Sequence, residues 1–215
     1  MTCGECGKKQ DRNYFHCLCQ PPTKIINKSL MPNTIFLDRD GVINVDSPDY
    51  IKTPDEFHFI PGSTKAMALL TAHGFDVILI TNQSVINRKM VTPPTLDAIF
   101  DKLKSGVTAA GGTIKDIFFC PHAPHENCSC RKPLPGLILQ AQKKYDLNLE
   151  ETCMVGDSAK DILCARNAGC GKAVLVETGN GVNALKTLQA QGHSPDHVVP
   201  DLMAAARLII QNYQR

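Results

Sequence analysis

The sequence is most informative at Thr34-Ile-Phe-Leu-Asp-Arg-Asp-Gly-Val-Ile-Asn44, where a short apolar run leads directly into two aspartates. An apolar run of this length is typical of a buried strand, and Gly41 lets the backbone turn away after it. Asp38 and Asp40 would then lie together at the carboxyl end of that strand. Two carboxylates this close can hold a hard cation through oxygen, or one can attack phosphorus while the other moves protons.

Length, composition and charge are those of an ordinary single-domain protein. The 215 residues are 43% hydrophobic, which is enough for a sizeable core with a small appendage. The net charge of +2, with 20% charged residues, gives no sign of a nucleic-acid surface. The apolar runs are too short to cross a membrane, and the first residues lack the apolar stretch of a signal peptide. We therefore expect a cytoplasmic protein that binds neither nucleic acid nor membrane.

Short apolar segments alternate with amphipathic ones from residue 34 onward. Strands are predicted at 34–38, 75–81, 115–120, 152–156, 172–176 and 197–199. Helices are predicted at 62–73, 93–110, 135–145, 159–168, 181–191 and 201–212. This alternation predicts an α/β fold of three layers, with helices on both faces of a parallel sheet. Residues 1–33 show neither periodicity, so we interpret them as a cysteine-rich appendage to a main domain at 34–215.

Three of the predicted strands end in polar side chains. The first ends in Asp38, the second in Thr81-Asn-Gln-Ser84, and the fourth in Gly156-Asp157-Ser158, with Asp161 one turn into the next helix. Because ligands of such sheets bind beyond the carboxyl ends of the strands, we expect these residues to converge on one edge. With the cationic pair Arg131-Lys132, they supply the carboxylates, hydroxyl and cations that phosphoryl transfer needs.

Three other chemistries of α/β proteins lack their signatures in this sequence. No Gly-x-Gly-x-x-Gly follows the first predicted strand, and the chain contains no Gly-x-x-x-x-Gly-Lys-Ser/Thr and no Gly-x-Ser-x-Gly. Dinucleotide binding, Walker-type nucleotide hydrolysis and acyl hydrolysis at a nucleophile elbow are therefore set aside.

The ordered segments resemble the four motifs of the haloacid dehalogenase (HAD) superfamily phosphatases. The matches are Asp38-Arg-Asp40-Gly-Val42, Thr81, Lys132 and Gly156-Asp157-Ser158-Ala-Lys-Asp161. The resemblance implies a Rossmann-like, essentially capless fold in which Asp38 is the nucleophile and forms an aspartyl-phosphate. Asp40 is implied to be the general acid and then the base, while Thr81 and Lys132 hold the phosphoryl group. The implied Mg²⁺ ligands are Asp38, Asp157 and the backbone carbonyl of Asp40, with Asp161 supporting the site.

A second metal site is predicted from Cys120-Pro-His122 and Cys128-Ser-Cys130, directly before Arg131. Three thiolates and one imidazole form a closed tetrahedral zinc set, which indicates a structural metal. His125 is an alternative to His122, although the symmetry of Cys-x-His and Cys-x-Cys favours His122. We expect this loop to fix Arg131 and Lys132 against the phosphate. The remaining cysteines of the main domain, which are Cys153, Cys164 and Cys170, are predicted to be small core residues.

Four further cysteines lie in the first twenty residues, with a spacing that also suits zinc: Cys3, Cys6, Cys17 and Cys19. A flexible cysteine-rich leader is the alternative interpretation. These cysteines keep a second class of function open, a zinc-dependent binding protein with a vestigial phosphatase body. The presence of Asp38, Asp40, Lys132 and Asp157 argues against it.

The zinc loop together with Asp-Arg-Asp-Gly resembles two related HAD families, the heptose-1,7-bisphosphate 7-phosphatases and the histidinol phosphatases. The stretches at 44–62, 81–84 and 130–136 are closer to the heptose family. The resemblance implies a sugar bisphosphate as the substrate, with histidinol phosphate as the alternative. From the small, capless domain we expect a monomer. The substrate contacts predicted beside Thr81 and Lys132 are Asp46, Asn82, Gln83, Ser84, Arg131 and Ser158. The sequence departs from the family at Val85, where glycine is usual, and at Ser158, where lysine is frequent.

Overall fold

The computed structural model describes residues 34–213, in which six β-strands alternate with six α-helices. The strands are β1 (Thr34–Leu37), β2 (Asp76–Asn82), β3 (Asp116–Cys120), β4 (Thr152–Gly156), β5 (Lys172–Val176) and β6 (His197–Val199). The helices are α1 (Ser63–Ala72), α2 (Pro93–Ala109), α3 (Gly136–Tyr145), α4 (Ala159–Ala168), α5 (Gly181–Ala190) and α6 (Leu202–Tyr213). Each predicted strand and helix is present. The appendage at 1–33, with its candidate zinc ligands, lies outside the described residues.

The six strands form one parallel sheet in the order β3-β2-β1-β4-β5-β6. The central strand β1 pairs with β2 on one side, Leu37 opposite Leu79, and with β4 on the other, Leu37 opposite Val155. The chain therefore builds outward from β1 in one direction and then crosses over to build outward from β4. This reversal of strand order leaves a crevice at the carboxyl ends of β1 and β4, where doubly wound sheets bind their ligands.

Helices cover both faces of the sheet, which explains why the strands are apolar throughout. Helices α1, α2 and α6 pack on one face, and α3, α4 and α5 pack on the other. Within β1, Ile35 and Leu37 contact the first core and Phe36 contacts the second, and all three are fully buried. The predicted core cysteines are also buried, Cys153 in the first core and Cys164 and Cys170 in the second. Among the described helices, none combines the length and the apolar character needed to cross a membrane.

The loop from β2 to α2 packs through a third, smaller apolar cluster. Val85 is buried against Val91, Leu96 and Phe100. Where the resemblance leads one to expect glycine, this chain therefore uses a side chain to fasten the loop to α2. The loop begins directly after β2, so the packing of Val85 also fixes the residues just before it.

Candidate active site

A cleft of about 600 Å³ opens at the carboxyl edge of the sheet. It lies beside the point where the strand order reverses between β1 and β4. Residues that were predicted separately line it together: Asp38, Asp40, Asp46, Thr81, Asn82, Ser84, Arg131, Lys132, Asp157 and Ser158. Two further predicted residues, Gln83 and Asp161, are buried at 3% and 0% exposure.

The buried ammonium group of Lys132 joins β1, β2 and α4. Its Nζ lies 2.8 Å from Asp38 Oδ1 and 2.6 Å from Asp161 Oδ1, and it donates a hydrogen bond to the carbonyl of Ile80 at 2.8 Å. Burial by itself would lower the pKa of Lys132, but the charges of Asp161 and Asp38 outweigh it and raise that pKa above its usual value. A permanent positive charge is therefore held beside Asp38.

Asp157, directly after β4, is held between two glycines. Its Oδ2 accepts a hydrogen bond from the backbone N–H of Asn180 at 2.8 Å. A Cβ atom on either Gly41 or Gly179 would lie 2.1 Å from that oxygen, and the two glycines have φ angles of 76° and 59°. Only glycine adopts these positive φ angles easily and also leaves room for the carboxylate of Asp157. The loops after β1 and β5 therefore set the position of Asp157.

The loop after β5 is a part of the site that sequence reasoning missed. Thr178 Oγ1 donates to the carbonyl of Gly41 at 2.6 Å, which ties this loop to the turn after β1. Asn180 lines the cleft and supplies the N–H that bonds Asp157. A signal was available, because Thr178-Gly-Asn180 follows β5 as the other polar segments follow their strands.

Asp38, Asp157 and Asp161 form a cluster that we call the carboxylate centre. Each supplies one oxygen, and these oxygens lie within 4.8 Å of one another. Burial, reinforced by the neighbouring carboxylates against the charge of Lys132, raises the pKa of Asp38 to about 7 and that of Asp157 to about 8. Buried oxygen ligands that repel one another suit a hard divalent cation such as Mg²⁺. Both oxygens of Asp161 already have partners, Lys132 and Ser158, which fits a supporting role.

Asp40 faces a ring of hydrogen-bond donors. Arg39 Nη2 lies 2.7 Å and Asn44 Nδ2 lies 2.9 Å from its Oδ1, while Gln83 Nε2 lies 3.0 Å from its Oδ2. Burial by itself would raise the pKa of Asp40, but the charge of Arg39 and these hydrogen bonds hold it below its usual value. Sequence reasoning missed Arg39 and Asn44. The available signal was the position of Arg39, a cation between two aspartates.

Two residues predicted to contact the substrate are bonded to other parts of the site. Asn82 Oδ1 accepts from the backbone N–H of Lys132 at 3.1 Å, and its Nδ2 donates to the Lys132 carbonyl at 3.3 Å. Ser158 Oγ donates to Asp161 Oδ2 at 2.7 Å within the capping box that begins α4. Both line the cleft, but their polar groups also hold Lys132 and Asp161 in place.

The four residues predicted to bind zinc converge in the structure, and we call them the Cys–His cluster: Cys120, His122, Cys128 and Cys130. Their three Sγ–Sγ distances are 3.3, 3.5 and 3.6 Å, and His122 Nδ1 lies 3.5 and 3.4 Å from two of the sulfurs. Four ligands around zinc, with Zn–S bonds of about 2.3 Å, require sulfurs about 3.8 Å apart in a tetrahedron. The donor set and its spacing fit zinc. His125 is exposed and lies outside the cluster.

The Cys–His cluster is bonded directly to the residue that follows it. Burial by itself would raise the pKa of Cys128, but the backbone of Arg131 and the thiols of Cys130 and Cys120 outweigh it and lower that pKa to about 7. The guanidinium of Arg131 donates through Nη1 to the carbonyl of His122 at 3.0 Å. Arg131 also lines the cleft, so the loop orients a cation towards it.

Comparison with known proteins identifies the family to which the chain belongs. Residues 129–205 match the HAD-hydrolase-like family model. The chain is 45% identical over 179 residues to the D-glycero-β-D-manno-heptose-1,7-bisphosphate 7-phosphatase of Bordetella bronchiseptica, which covers 82% of this chain and 97% of that protein.

Two solved structures show the same similarity. The D,D-heptose 1,7-bisphosphate phosphatase of B. bronchiseptica, in complex with magnesium and phosphate, has a TM-score of 0.78 at 43% identity and covers 84% of this chain and 99% of its own. The enzyme of the same name from Burkholderia thailandensis has a TM-score of 0.64 at 32% identity and covers 83% and 98%. The chain therefore belongs to the heptose-1,7-bisphosphate 7-phosphatase family of the HAD superfamily.

Proposed function

We propose that this chain is a Mg²⁺-dependent phosphatase that removes the 7-phosphate of D-glycero-β-D-manno-heptose 1,7-bisphosphate. The observation that carries the proposal is the 2.8 Å contact of Asp38 with Lys132 beside Asp157, because it places a nucleophile, a fixed cation and a metal-ligating carboxylate in one cleft. The names of the relatives described above support the choice of substrate.

In the first half of the reaction, a carboxylate oxygen of Asp38 forms a bond to phosphorus while the bond from phosphorus to the sugar oxygen breaks. Asp40 gives its proton to that oxygen, which leaves as an alcohol. Asp40 is a carboxylate in the free site, and the negative charge of the entering phosphate raises its pKa so that it carries this proton. Lys132 and the hydroxyl of Thr81 hold the phosphoryl oxygens.

In the second half, water attacks the phosphorus of the aspartyl-phosphate and gives a proton to the carboxylate of Asp40. The bond between phosphorus and Asp38 breaks, which releases inorganic phosphate and restores the carboxylate of Asp38. The donors around Asp40 that keep it ionised favour this role as a base.

Two metals belong to the proposal. Asp38, Asp157 and the backbone carbonyl of Asp40 would hold Mg²⁺, with Asp161 supporting them; when bound, this ion neutralises charge on the phosphate oxygens. The Cys–His cluster would hold Zn²⁺ in a closed set, so that this metal is structural. We take residues 34–215 as the phosphatase domain and propose that it acts as a monomer.

Phosphate release from four substrates tests the proposal. The panel comprises the β and α anomers of the heptose bisphosphate, fructose 1,6-bisphosphate and histidinol phosphate. We expect the highest kcat/KM for the β anomer, with the 1-phosphate retained in the product. A preference for histidinol phosphate would assign the chain to the alternative substrate, and absence of turnover on the whole panel would support the vestigial binding protein instead.

Metal removal tests the cofactor assignment separately. We expect a weak chelator to stop turnover reversibly by withdrawing Mg²⁺, because oxygen ligands hold that ion loosely while thiolates retain zinc. Metal analysis should then find about one zinc per chain from the Cys–His cluster, or about two if the N-terminal cysteines also bind. A zinc-free preparation with full activity and normal stability would contradict the zinc assignment.

A further inference from the structure

The side chain of Gln83 lies between two groups that act on the phosphate. Its Nε2 is 3.0 Å from Asp40 Oδ2 and 2.9 Å from Thr81 Oγ1. Asp40 and Thr81 both line the cleft, whereas Gln83 is buried and does not line it. The backbone N–H of Gln83 donates to the carbonyl of Cys120 at 2.7 Å, which anchors the residue independently of its side chain.

The surroundings of Gln83 determine which way its amide faces. The other side chains bonded to Asp40, Arg39 and Asn44, also donate hydrogen bonds to it, so the carboxylate acts as an acceptor. The group of Gln83 that faces Asp40 must therefore be the NH₂, which has two hydrogens and no acceptor capacity. One hydrogen goes to Asp40 and the other to Thr81. Because the Thr81 oxygen accepts this bond, its own proton is left to point away from Gln83.

We propose that Gln83 is a positioning residue that couples Asp40 to Thr81. One amide group holds the carboxyl group that protonates the leaving oxygen, and it directs the hydroxyl proton of Thr81 towards the phosphate. This inference rests on the phosphatase function proposed above. It also differs from the sequence-based prediction that Gln83 contacts the substrate, because here Gln83 acts only through its two neighbours.

The two contacts of Gln83 affect the reaction differently. Protonation by Asp40 matters most when the leaving oxygen is strongly basic, since a weakly basic oxygen departs without a proton. Orientation of Thr81 acts on the phosphoryl group and is independent of the leaving group. Losing the Gln83 amide should therefore lower kcat/KM more for substrates with poor leaving groups than for substrates with good ones.

The variant Gln83→Leu removes both donors while keeping a buried side chain of similar size. We would measure kcat/KM with phenyl phosphate and p-nitrophenyl phosphate, because neither has a sugar and kcat/KM reports the steps up to departure of the leaving group. We expect a fall of roughly a hundredfold with phenyl phosphate and roughly tenfold with p-nitrophenyl phosphate. The matched control is Gln142→Leu on α3, whose amide donates to the carbonyl of Leu147 away from the cleft, and it should leave both values unchanged.

Each contrary outcome of this experiment has a distinct meaning. Equal falls with both substrates would indicate general damage to the site and would overturn the coupling. Unchanged values with both substrates, together with a loss confined to the heptose bisphosphate, would make Gln83 a sugar contact and would also overturn it. If the wild-type protein hydrolyses no phosphomonoester, the proposed function fails instead.

A double variant measured on the heptose bisphosphate gives an independent test that needs no aryl substrate. In the wild-type background, Gln83→Leu should cost roughly a hundredfold in kcat/KM. In an Asp40→Asn background it should cost only about tenfold, because the share transmitted through Asp40 is already lost. Losses that simply multiply would show that Gln83 and Asp40 act independently, and the inference would be wrong.

Discussion

The Cys–His cluster takes all its ligands from the stretch 120–130, whereas the carboxylate centre takes Asp38 and Asp161 from opposite sides of the strand-order reversal. The cluster is built by local spacing, because Cys120 ends β3 and the other three ligands lie in the loop that follows it. The carboxylate centre is built by topology, because β1 and β4 are neighbours only after the chain has crossed over the sheet. We therefore expect that a substitution can disrupt the Cys–His cluster without unfolding the domain. The carboxylate centre, in contrast, forms only when the sheet and its core have folded.

Lys132 belongs to both regions. It follows the last ligand of the Cys–His cluster by two residues, and its Nζ forms ion pairs with Asp38 and Asp161 of the carboxylate centre. The cluster therefore has a route to catalysis that does not require it to touch the substrate. Substitutions in the two regions should distinguish residues that take part in the reaction from residues that only hold them in position.

The largest effect is expected from Asp38→Asn in the carboxylate centre. Asparagine has nearly the same shape but cannot act as the nucleophile, so turnover should fall by several orders of magnitude. Thermal unfolding and zinc content should stay close to those of the wild type, since Lys132 keeps its ion pair with Asp161. Activity above a few per cent of the wild-type value would rule out the covalent mechanism.

Lys132→Ala should cause the next largest loss, and it should reduce stability as well. Removing one member of a buried ion pair costs about 3–5 kcal/mol because the other charges are left without a partner. We expect a loss of activity of at least a hundredfold, with zinc still bound. The double variant Lys132→Ala/Asp161→Asn should recover part of the stability and none of the activity. Full activity of the single variant would remove Lys132 from the phosphate site.

Cys128→Ser should damage catalysis indirectly. Losing one of the four ligands proposed for zinc should weaken metal binding and free the loop, whose His122 carbonyl accepts a hydrogen bond from Arg131. A positioning group displaced by about 1 Å can cost roughly a hundredfold in rate. His125→Ala is the matched control, because His125 lies in the same loop but outside the cluster, and it should keep both zinc and activity. A Cys128→Ser protein without zinc that still works at the wild-type rate would show that the loop does not position the cationic pair.

The comparison also explains what the sequence could predict. The periodic spacing of apolar residues predicted the strands and helices, and the spacing of the cysteines predicted the Cys–His cluster. Both spacings are local properties of the sequence. The rule that polar residues after parallel strands meet at one edge was enough to group Asp38 with Asp157. It could not predict that Thr178 bonds Gly41, since those residues are 137 positions apart and meet only through the packing of two loops. Nor could it predict which side chains after β2 would face the cleft, because that depends on their tertiary partners.

Asn82→Ala should have the smallest effect, and it sharpens the comparison because Asn82 connects β2 to the segment after the Cys–His cluster. Its two hydrogen bonds to the Lys132 backbone hold that residue where its ammonium group reaches Asp38. Loss of two such bonds should cost about tenfold in kcat/KM, with zinc retained.

The sequence alone predicted that Asn82 contacts the sugar, and substrates separate the two roles. A residue that holds Lys132 affects every phosphomonoester, so the heptose bisphosphate and p-nitrophenyl phosphate should lose activity equally. A sugar contact would instead raise KM for the heptose bisphosphate and leave p-nitrophenyl phosphate unaffected. Asn87→Ala, at an exposed position in the same loop, should change neither value. Equal losses would show that β2 helps position Lys132, so that the position of the cationic pair Arg131-Lys132 depends on both the loop of the Cys–His cluster and the sheet.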